Sequence, residues 1–355
     1  MTAPLRVGFI GAGEVSAEKH IPALRELSEI EIVAVADVDP ARRAYVRRRF
    51  GLEHLYDDIA GILSHDGLNA VALCLPPNLQ IQAACAALDA GKHVWIDPPT
   101  GLTLRDCDAL IERAAKSDRT VIVGFHMRYH RLVRQARAII DSGRLGNLHT
   151  FRAIWSSPRH RDRLKEWRRH RALGGGALGE PAIDHFDLWR YLMRSEIRVL
   201  FAAAMNDGWD DAAAVVSGQM ENGVLVSAVL SERANHDVEL EVCGDGGRLR
   251  VSLIRFEGLE YYSAGAMASG VGSRLGRMAH LLKELPRALR RMHKAGDYRL
   301  SYREQWRHFC QCIRSGTPVE VTLADGRHAL AAMLAAMESA ETRRLVTVSD
   351  YSSPR

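Results

Sequence analysis

Leu5-Arg-Val-Gly-Phe-Ile-Gly-Ala-Gly13 is an apolar run that stops in glycines, and Glu31-Ile-Val-Ala-Val-Ala-Asp37 is a second apolar run that stops in an acid. Strand, glycine turn, helix, strand, acid is the order of a dinucleotide site. Gly11 permits the tight turn. Gly13 lets a pyrophosphate approach the backbone and the N-terminus of the following helix, which Glu14 and Val15 open. Asp37, 24 residues beyond Gly13, is placed to accept hydrogen bonds from the adenosine ribose hydroxyls. Ser16 stands where a third glycine would complete the fingerprint. The bland alternative is a strand and turn of some other parallel sheet; the two flanking strands and the acid at the right distance argue against it.

The chain has 355 residues, more than one core usually serves, so two domains are expected. Hydrophobic residues at 47% and charged residues at 26% describe an ordinary globular chain. Six scattered cysteines, mostly in apolar surroundings, fit reduced thiols, and no charged-then-apolar leader precedes Leu5; a cytoplasmic location is expected. No apolar run is long enough to span a membrane. The net charge of +5 is largely local arginine without a recognition motif, which favours an anionic small-molecule ligand over nucleic acid.

From residue 5 to about 126 apolar strands alternate with amphipathic helices: strands at 70–75, 93–96 and 120–124, helices at 21–27, 41–50, 81–90 and 104–116. That rhythm predicts a doubly wound parallel sheet. Beyond Gly146 strand-like runs follow one another at 149–155, 198–205, 212–220, 224–230, 238–243 and 248–253, interrupted by a helix over 182–193. The fold class is therefore α/β: an N-terminal Rossmann domain at 1–126 and a C-terminal α+β domain at 127–355 with a large open, mostly antiparallel sheet. The last helices, near 301–315 and 324–341, are left free to pack back on the first domain. A basic amphipathic stretch at 274–294 reads either as a contact with an anion, partner or membrane surface, or as a solvated helix packed on the body.

The chain resembles the Gfo/Idh/MocA family, which contains glucose–fructose oxidoreductase and inositol dehydrogenase. The resemblance rests on Val7-Gly-Phe-Ile-Gly-Ala-Gly13, Leu75-Pro-Pro-Asn78, Gly91-Lys-His-Val-Trp-Ile-Asp-Pro-Pro99, and Gly174-Gly-Gly-Ala-Leu178 running on to Asp187-Leu188, with Gly316-Thr-Pro-Val-Glu-Val and Asp325-Gly-Arg near the end. It covers nearly the whole chain. It implies NAD or NADP at the junction of the two domains and homo-oligomers formed through the open sheet. It adds Leu75, Pro76, Asn78, Asp97 and His126 to the cofactor-binding residues Gly11, Gly13, Glu14, Val15 and Asp37. Asp37 would repel a 2′-phosphate, so NAD is favoured; Arg42 and Arg43 leave NADP open.

The departures bear on the chemistry. Where the family reads Glu-Lys-Pro this chain reads Asp97-Pro98-Pro99, and proline neither titrates nor donates. Where the family places Asp, His four residues on and Asp three later, this chain has Glu180, Asp184 and Asp187, with His185 one residue displaced. His126 replaces the family asparagine after the fifth strand, and Ile81 replaces a family histidine. Oxidising an alcohol by hydride transfer needs a base for the hydroxyl proton. Asp184 or His185 is the candidate, with Glu180 one helical turn earlier expected to raise the pKa of Asp184. A core role for His185 and an N-terminal acid role for Glu180 are the plain alternatives.

Arg128 and Tyr129, just past a strand end, and Arg168, in the arginine-rich run 159–171, are candidate substrate residues, the run reading as an anion clamp or as a solvated loop. A metal site from His126, Glu180, Asp184 and His185 is not demanded by any spacing, and no metal is expected. The expected function is an NAD(P)-dependent oxidoreductase on a sugar, nucleotide sugar or cyclitol, one version of which makes a 3-keto sugar for a partner aminotransferase. Its rivals are a redox-neutral enzyme with tightly held NAD and a catalytically silent partner subunit.

Overall fold

A computed structural model describes residues 3–160, 164–255, 257–265, 278, 279, 282, 285, 286 and 296–351. Most of the basic stretch 274–294 lies outside the described residues, so the expectation for it is not carried further. The chain divides into two units: residues 1–126 with 302–330, and residues 127–301 with 331–355. Tyr302–Leu330 belongs to the first unit, although it follows the second in sequence.

The first unit carries six parallel strands, β1 (Leu5–Ile10), β2 (Ile30–Ala36), β3 (Leu55–Tyr56), β4 (Ala70–Leu73), β5 (His93–Ile96) and β6 (Val121–Val123). They stand in the order β3-β2-β1-β4-β5-β6, with every pairing parallel. Strands this short and apolar are buried on both faces, as parallel strands covered by helices must be. The order reverses between β1 and β4, which sets the ligand crevice at their carboxyl ends. The first helix, α1 (Ile21–Leu24), is only four residues and is entered through a π turn at Ser16–His20, closed by the Ile21 amide donating to Ser16 O. Pro22 lacks an amide, and the wider turn falls just before it. Helix α2 (Pro40–Phe50) starts where Asp39 caps it by accepting from the Ala41 amide at 2.8 Å, and ends at left-handed Gly51. Helices α3 (Ile59–Leu63), α4 (Pro77–Asp89) and α5 (Leu104–Ala115) complete the alternation.

The second unit begins with α6 (Arg131–Asp141) and holds, among the described residues, eight strands. These are β7 (Leu148–Ser156), β8 (Ile197–Met205), β9 (Ala213–Met220), β10 (Leu225–Ser231), β11 (Asp237–Gly244), β12 (Gly247–Ser252) and β13 (Leu259–Ser263), with β14 (Val346–Thr347) at one edge. The order is β13-β12-β11-β7-β10-β9-β8-β14, and only β7 with β10 runs parallel. Short α7 (Glu166–Arg169) precedes α8 (Glu180–Met193), which packs on β7, β8 and β10. The opposite face of the sheet exposes Phe201, Val215 and Val229. The strand alternation, buried then exposed, is what one covered and one open face require.

Two long helices, α9 (Gly296–Ser315) and α10 (Leu323–Thr342), are divided between the units. Within the first unit Trp306 of α9 stacks on Trp95 of β5 at 4.2 Å between ring centroids, and Gln305 donates to Val123 O at 2.8 Å. Both tryptophans are fully buried. The Rossmann core therefore depends on a helix some two hundred residues downstream in sequence. Among the described residues no helix is long and apolar enough to cross a membrane, and all six cysteines are free.

Candidate active site

The glycine turn follows β1 directly. Gly11 has φ +98°, and a Cβ there would sit 2.3 Å from Cys74 O, so the strand β4 backbone closes on it from the other side of the crevice. Nothing lies within 4 Å of a Cβ at Gly13, which is open space. The Asp37 carboxylate at the end of β2 accepts from the Ala12 amide at 2.7 Å through Oδ2 and from the Asp39 amide at 2.9 Å through Oδ1. Those two bonds orient it across the turn and leave acceptor capacity on both oxygens. Arg43 donates to Asp37 O at 2.5 Å and to Val38 O at 3.2 Å, so its guanidinium is held beside the acid rather than extended into solvent.

Glu14 is exposed, Val15 half-buried, and Leu75 and Pro76 lie half-buried where β4 turns into α4; Asn78 is exposed in the first turn of that helix. His126 is buried and stacks on Tyr302 at 4.1 Å. The turn, the cradle at Gly11, the empty space at Gly13 and the oriented carboxylate fit a dinucleotide bound with its pyrophosphate at the turn and its ribose at Asp37. Asp37→Ala is expected to weaken NAD binding by about ten- to a hundredfold, the size of lost hydrogen bonds to a charged acceptor, read by titration of cofactor fluorescence.

His20, Cys74 and Asp97 bring three potential metal donors within 4.8 Å of one another. Their hydrogen bonding argues against a metal. The Trp306 indole N–H donates to His20 Nδ1 at 3.0 Å, so the imidazole proton sits on Nε2 and points at Asp97, 3.1 Å away. A metal at Nε2 would have to displace that proton from a ring whose other nitrogen is already used as an acceptor.

In the second unit α8 carries Glu180, Asp184, His185 and Asp187. Asp187 is buried and receives a bidentate contact from Arg128, Nε to Oδ2 at 2.8 Å and Nη2 to Oδ1 at 2.5 Å, and Arg128 also lies over the Tyr191 ring. Glu180 is clasped by Arg168 at 2.7 Å and Arg159 at 3.2 Å, and Arg159 also reaches buried Glu232 at 2.8 Å. Burial pushes Glu232 up to about 7, against the pull of Arg159 and the Trp209 N–H. Arg171 forms a further bidentate pair with Asp211.

The run 159–171 is thus tied internally at Arg159, Arg168 and Arg171, and the Gly176 amide donates to Arg168 O, stapling it to the approach to α8. Arg161 and Arg163 lie outside the described residues. Two of the candidate substrate residues, Arg128 and Arg168, have carboxylates of the same unit as partners. Tyr129 is buried beneath the Arg134 guanidinium.

His185 is fully buried, and its Nδ1 lies 2.7 Å from Pro181 O. A carbonyl only accepts, so Nδ1 carries the proton. Burial lowers this histidine to about 4, only partly offset by that hydrogen bond, which makes it a weak base at neutral pH. Asp184, the preceding residue, is half-buried.

Comparison with known proteins places this geometry. Residues 5–125 match the model of the oxidoreductase family with an NAD-binding Rossmann fold, and residues 133–250 match the GFO/IDH/MocA C-terminal domain, together more than half of the chain. The chain belongs to the Gfo/Idh/MocA family. It is 26% identical to myo-inositol 2-dehydrogenase of Thermotoga maritima over 98% of this chain and 99% of that one. It is 27% identical to dTDP-3,4-didehydro-2,6-dideoxy-alpha-D-glucose 3-reductase of Saccharopolyspora spinosa over 71% of this chain and 75% of that protein. Its fold is that of the scyllo-inositol dehydrogenase of Lactobacillus casei, solved with NAD(H) and scyllo-inositol, at TM-score 0.78 and 20% identity over 98% and 99% of the two chains.

Membership in the Gfo/Idh/MocA family makes the first unit an NAD-binding Rossmann domain and the protein an NAD-dependent oxidoreductase. A residue that sequence reasoning missed is His20. A buried histidine inside the first helical turn was the available signal, but its partners Asp97 and Trp306 lie 77 and 286 residues away.

Proposed function

We propose that the protein transfers hydride between NAD and a carbinol or ketone carbon of a sugar, nucleotide sugar or cyclitol, with Asp184 handling the hydroxyl proton. The single observation that carries this is the contrast on α8. His185 is turned into the core onto Pro181 O, whereas Asp184 beside it is half-buried on the helix. Pro98 removes the lysine that the family uses, so the proton must go to another group. A half-buried carboxylate meets that need better than a deeply buried imidazole lowered to about 4.

The bound nicotinamide accepts or returns the hydride. Asp184 accepts the hydroxyl proton during oxidation and gives it back during reduction. Glu180, clasped by Arg159 and Arg168, anchors the N-terminus of α8 and so positions Asp184 one turn later. The myo-inositol and dTDP-sugar relatives support the substrate class. In its nucleotide-sugar version the product is a 3-keto sugar suited to an aminotransferase. The exposed apolar residues of the open sheet support a homo-oligomer, with a second copy covering Phe201, Val215 and Val229.

Asp184→Asn is expected to lower kcat by about 10²- to 10⁴-fold with the Kd for NAD unchanged, the range of a lost general base. Reduced-nicotinamide absorbance over a panel of inositols, free sugars and dTDP-sugars reads it. Wild-type kcat in the Asn variant would remove Asp184 from the mechanism.

A further inference from the structure

Asp97 stands at the carboxyl end of β5, in a sheet whose ligand crevice opens at the carboxyl ends of β1 and β4. It is tied to that crevice through Cys74, whose carbonyl closes on Gly11 and whose thiol hydrogen-bonds the Asp97 carboxylate. Three donors converge on this carboxylate. His20 Nε2 lies 3.1 and 3.2 Å from its two oxygens, Trp95 Nε1 donates at 3.2 Å, and the Cys74 thiol, pushed well up by burial and by Asp97, stays protonated and donates. Gln80 Nε2 donates to Asp97 O at 2.8 Å and fixes the backbone beneath it.

Each of these donors is neutral. Indole only donates, so the Trp306 N–H at His20 Nδ1 requires a lone pair there. An imidazolium would turn a second N–H against the indole N–H. His20 therefore serves Asp97 as a hydrogen-bond donor and not as a counter-ion. Among the described residues no lysine or arginine pairs with Asp97. Hydrogen bonds from His20, Cys74 and Trp95 favour the charged form of the carboxyl, against the pull of burial. The surroundings are the rings of Trp95, Trp306 and Tyr302, where a charge is poorly screened. The carboxylate is nevertheless not sealed: its side chain is 14% exposed. The result is a negative charge with no lysine or arginine beside it among the described residues, at the carboxyl end of β5.

We propose that Asp97, held as a bare carboxylate by the Trp306–His20 pair, is the counter-charge for the cationic nicotinamide ring and makes this protein favour NAD⁺ over NADH. The inference rests on the assignment of the first unit as an NAD site. It makes Asp97, His20 and Trp306 positioning residues that act on the charge of the bound ring.

The test is separate titration of the full-length protein with NAD⁺ and with NADH, followed by intrinsic fluorescence. Asp97→Asn keeps the shape and removes the charge. It is expected to raise the ratio of the Kd for NAD⁺ to that for NADH by about tenfold, with NADH affinity little changed, as loss of one poorly screened charge requires. An unchanged ratio in a variant that melts like the wild type would overturn the proposal, as would an equal loss of both affinities. Should Asp97→Asn fail to fold, Asp97→Ser tests the same charge with a smaller side chain. The ratio of the two Kd values should again turn against NAD⁺ by about tenfold. An unchanged ratio in this variant overturns the proposal. Wild-type protein that binds neither form would instead sink the cofactor assignment, and the inference with it.

Discussion

Asp187→Ala is expected to cost about 3–5 kcal/mol of stability. The carboxylate is 1% exposed and takes both arms of the Arg128 guanidinium, itself 8% exposed. Taking away one member leaves the other charge in the interior without its bidentate partner, and water cannot replace the lost solvation there. The cost therefore exceeds what the pair contributes in its own right. A double-mutant cycle separates the two. Asp187→Leu with Arg128→Met removes both charges together and should recover most of the stability. Urea unfolding of the wild type, the two single variants and the double variant checks this. A single-variant loss below about 1 kcal/mol, the scale of a surface pair, would show that the ion pair is solvated in solution. Since Asp187 lies three residues from Asp184, activity measured well below the unfolding midpoint should fall far less in Asp187→Ala than in Asp184→Asn.

Gly11→Ala is expected to abolish measurable NAD binding and to destabilise the first unit, whereas Gly13→Ala should lose NAD affinity alone. The two glycines look alike in the motif but are required for different reasons. At Gly11 the backbone has φ +98°, and an added Cβ would meet Cys74 O at 2.3 Å and its carbon at 2.9 Å. Both obstacles are backbone, so β4 and the turn must separate, at a cost of a few kcal/mol. At Gly13 an added Cβ meets nothing of the protein within 4 Å, so the space is kept for the ligand. Melting temperature and NAD titration on both variants distinguish these outcomes. A Gly11→Ala protein with wild-type melting and affinity would mean that the turn relaxes at no cost. A Gly13→Ala protein with unchanged affinity would mean that the pyrophosphate does not approach there.

The two kinds of glycine also show how far sequence reading carries. That both positions needed glycine was legible from the strand–turn–helix–strand–acid order alone, because each step is local or repeats with short period. The same holds for β1, β2, β4 and β5, which are short apolar runs, and for the open sheet, whose strands alternate buried and exposed residues. The short strands β3 and β13 and helix α3 were not read, since two to five residues carry too little periodicity. The helix read at 21–27 turned out to be a π turn at Ser16–His20 followed by four α-helical residues; the pattern of apolar residues is blind to the width of the turn.

At the candidate site the division is sharper. The residue types on α8 were visible, but their directions were not. Arg168 and Arg128 are candidate substrate residues by sequence, and each has a carboxylate of its own unit as a partner, Glu180 for one and Asp187 for the other. A solvated arginine and a buried, paired one have the same sequence; only the carboxylate brought opposite by packing tells them apart. His185 likewise showed no sign in sequence of turning onto Pro181 O.

The sequence by itself determined the fold class, the dinucleotide turn and the acid at Asp37, because period-two and period-3.6 patterns and glycine turns are written within a few residues. The tertiary structure alone decided which charges are engaged. Trp306 reaches His20 across 286 residues of chain, and His20 reaches Asp97 across 77. Partner choice at such separations follows from which side chains packing brings within 3 Å of one another, and the protonation and net charge of the site follow from that choice.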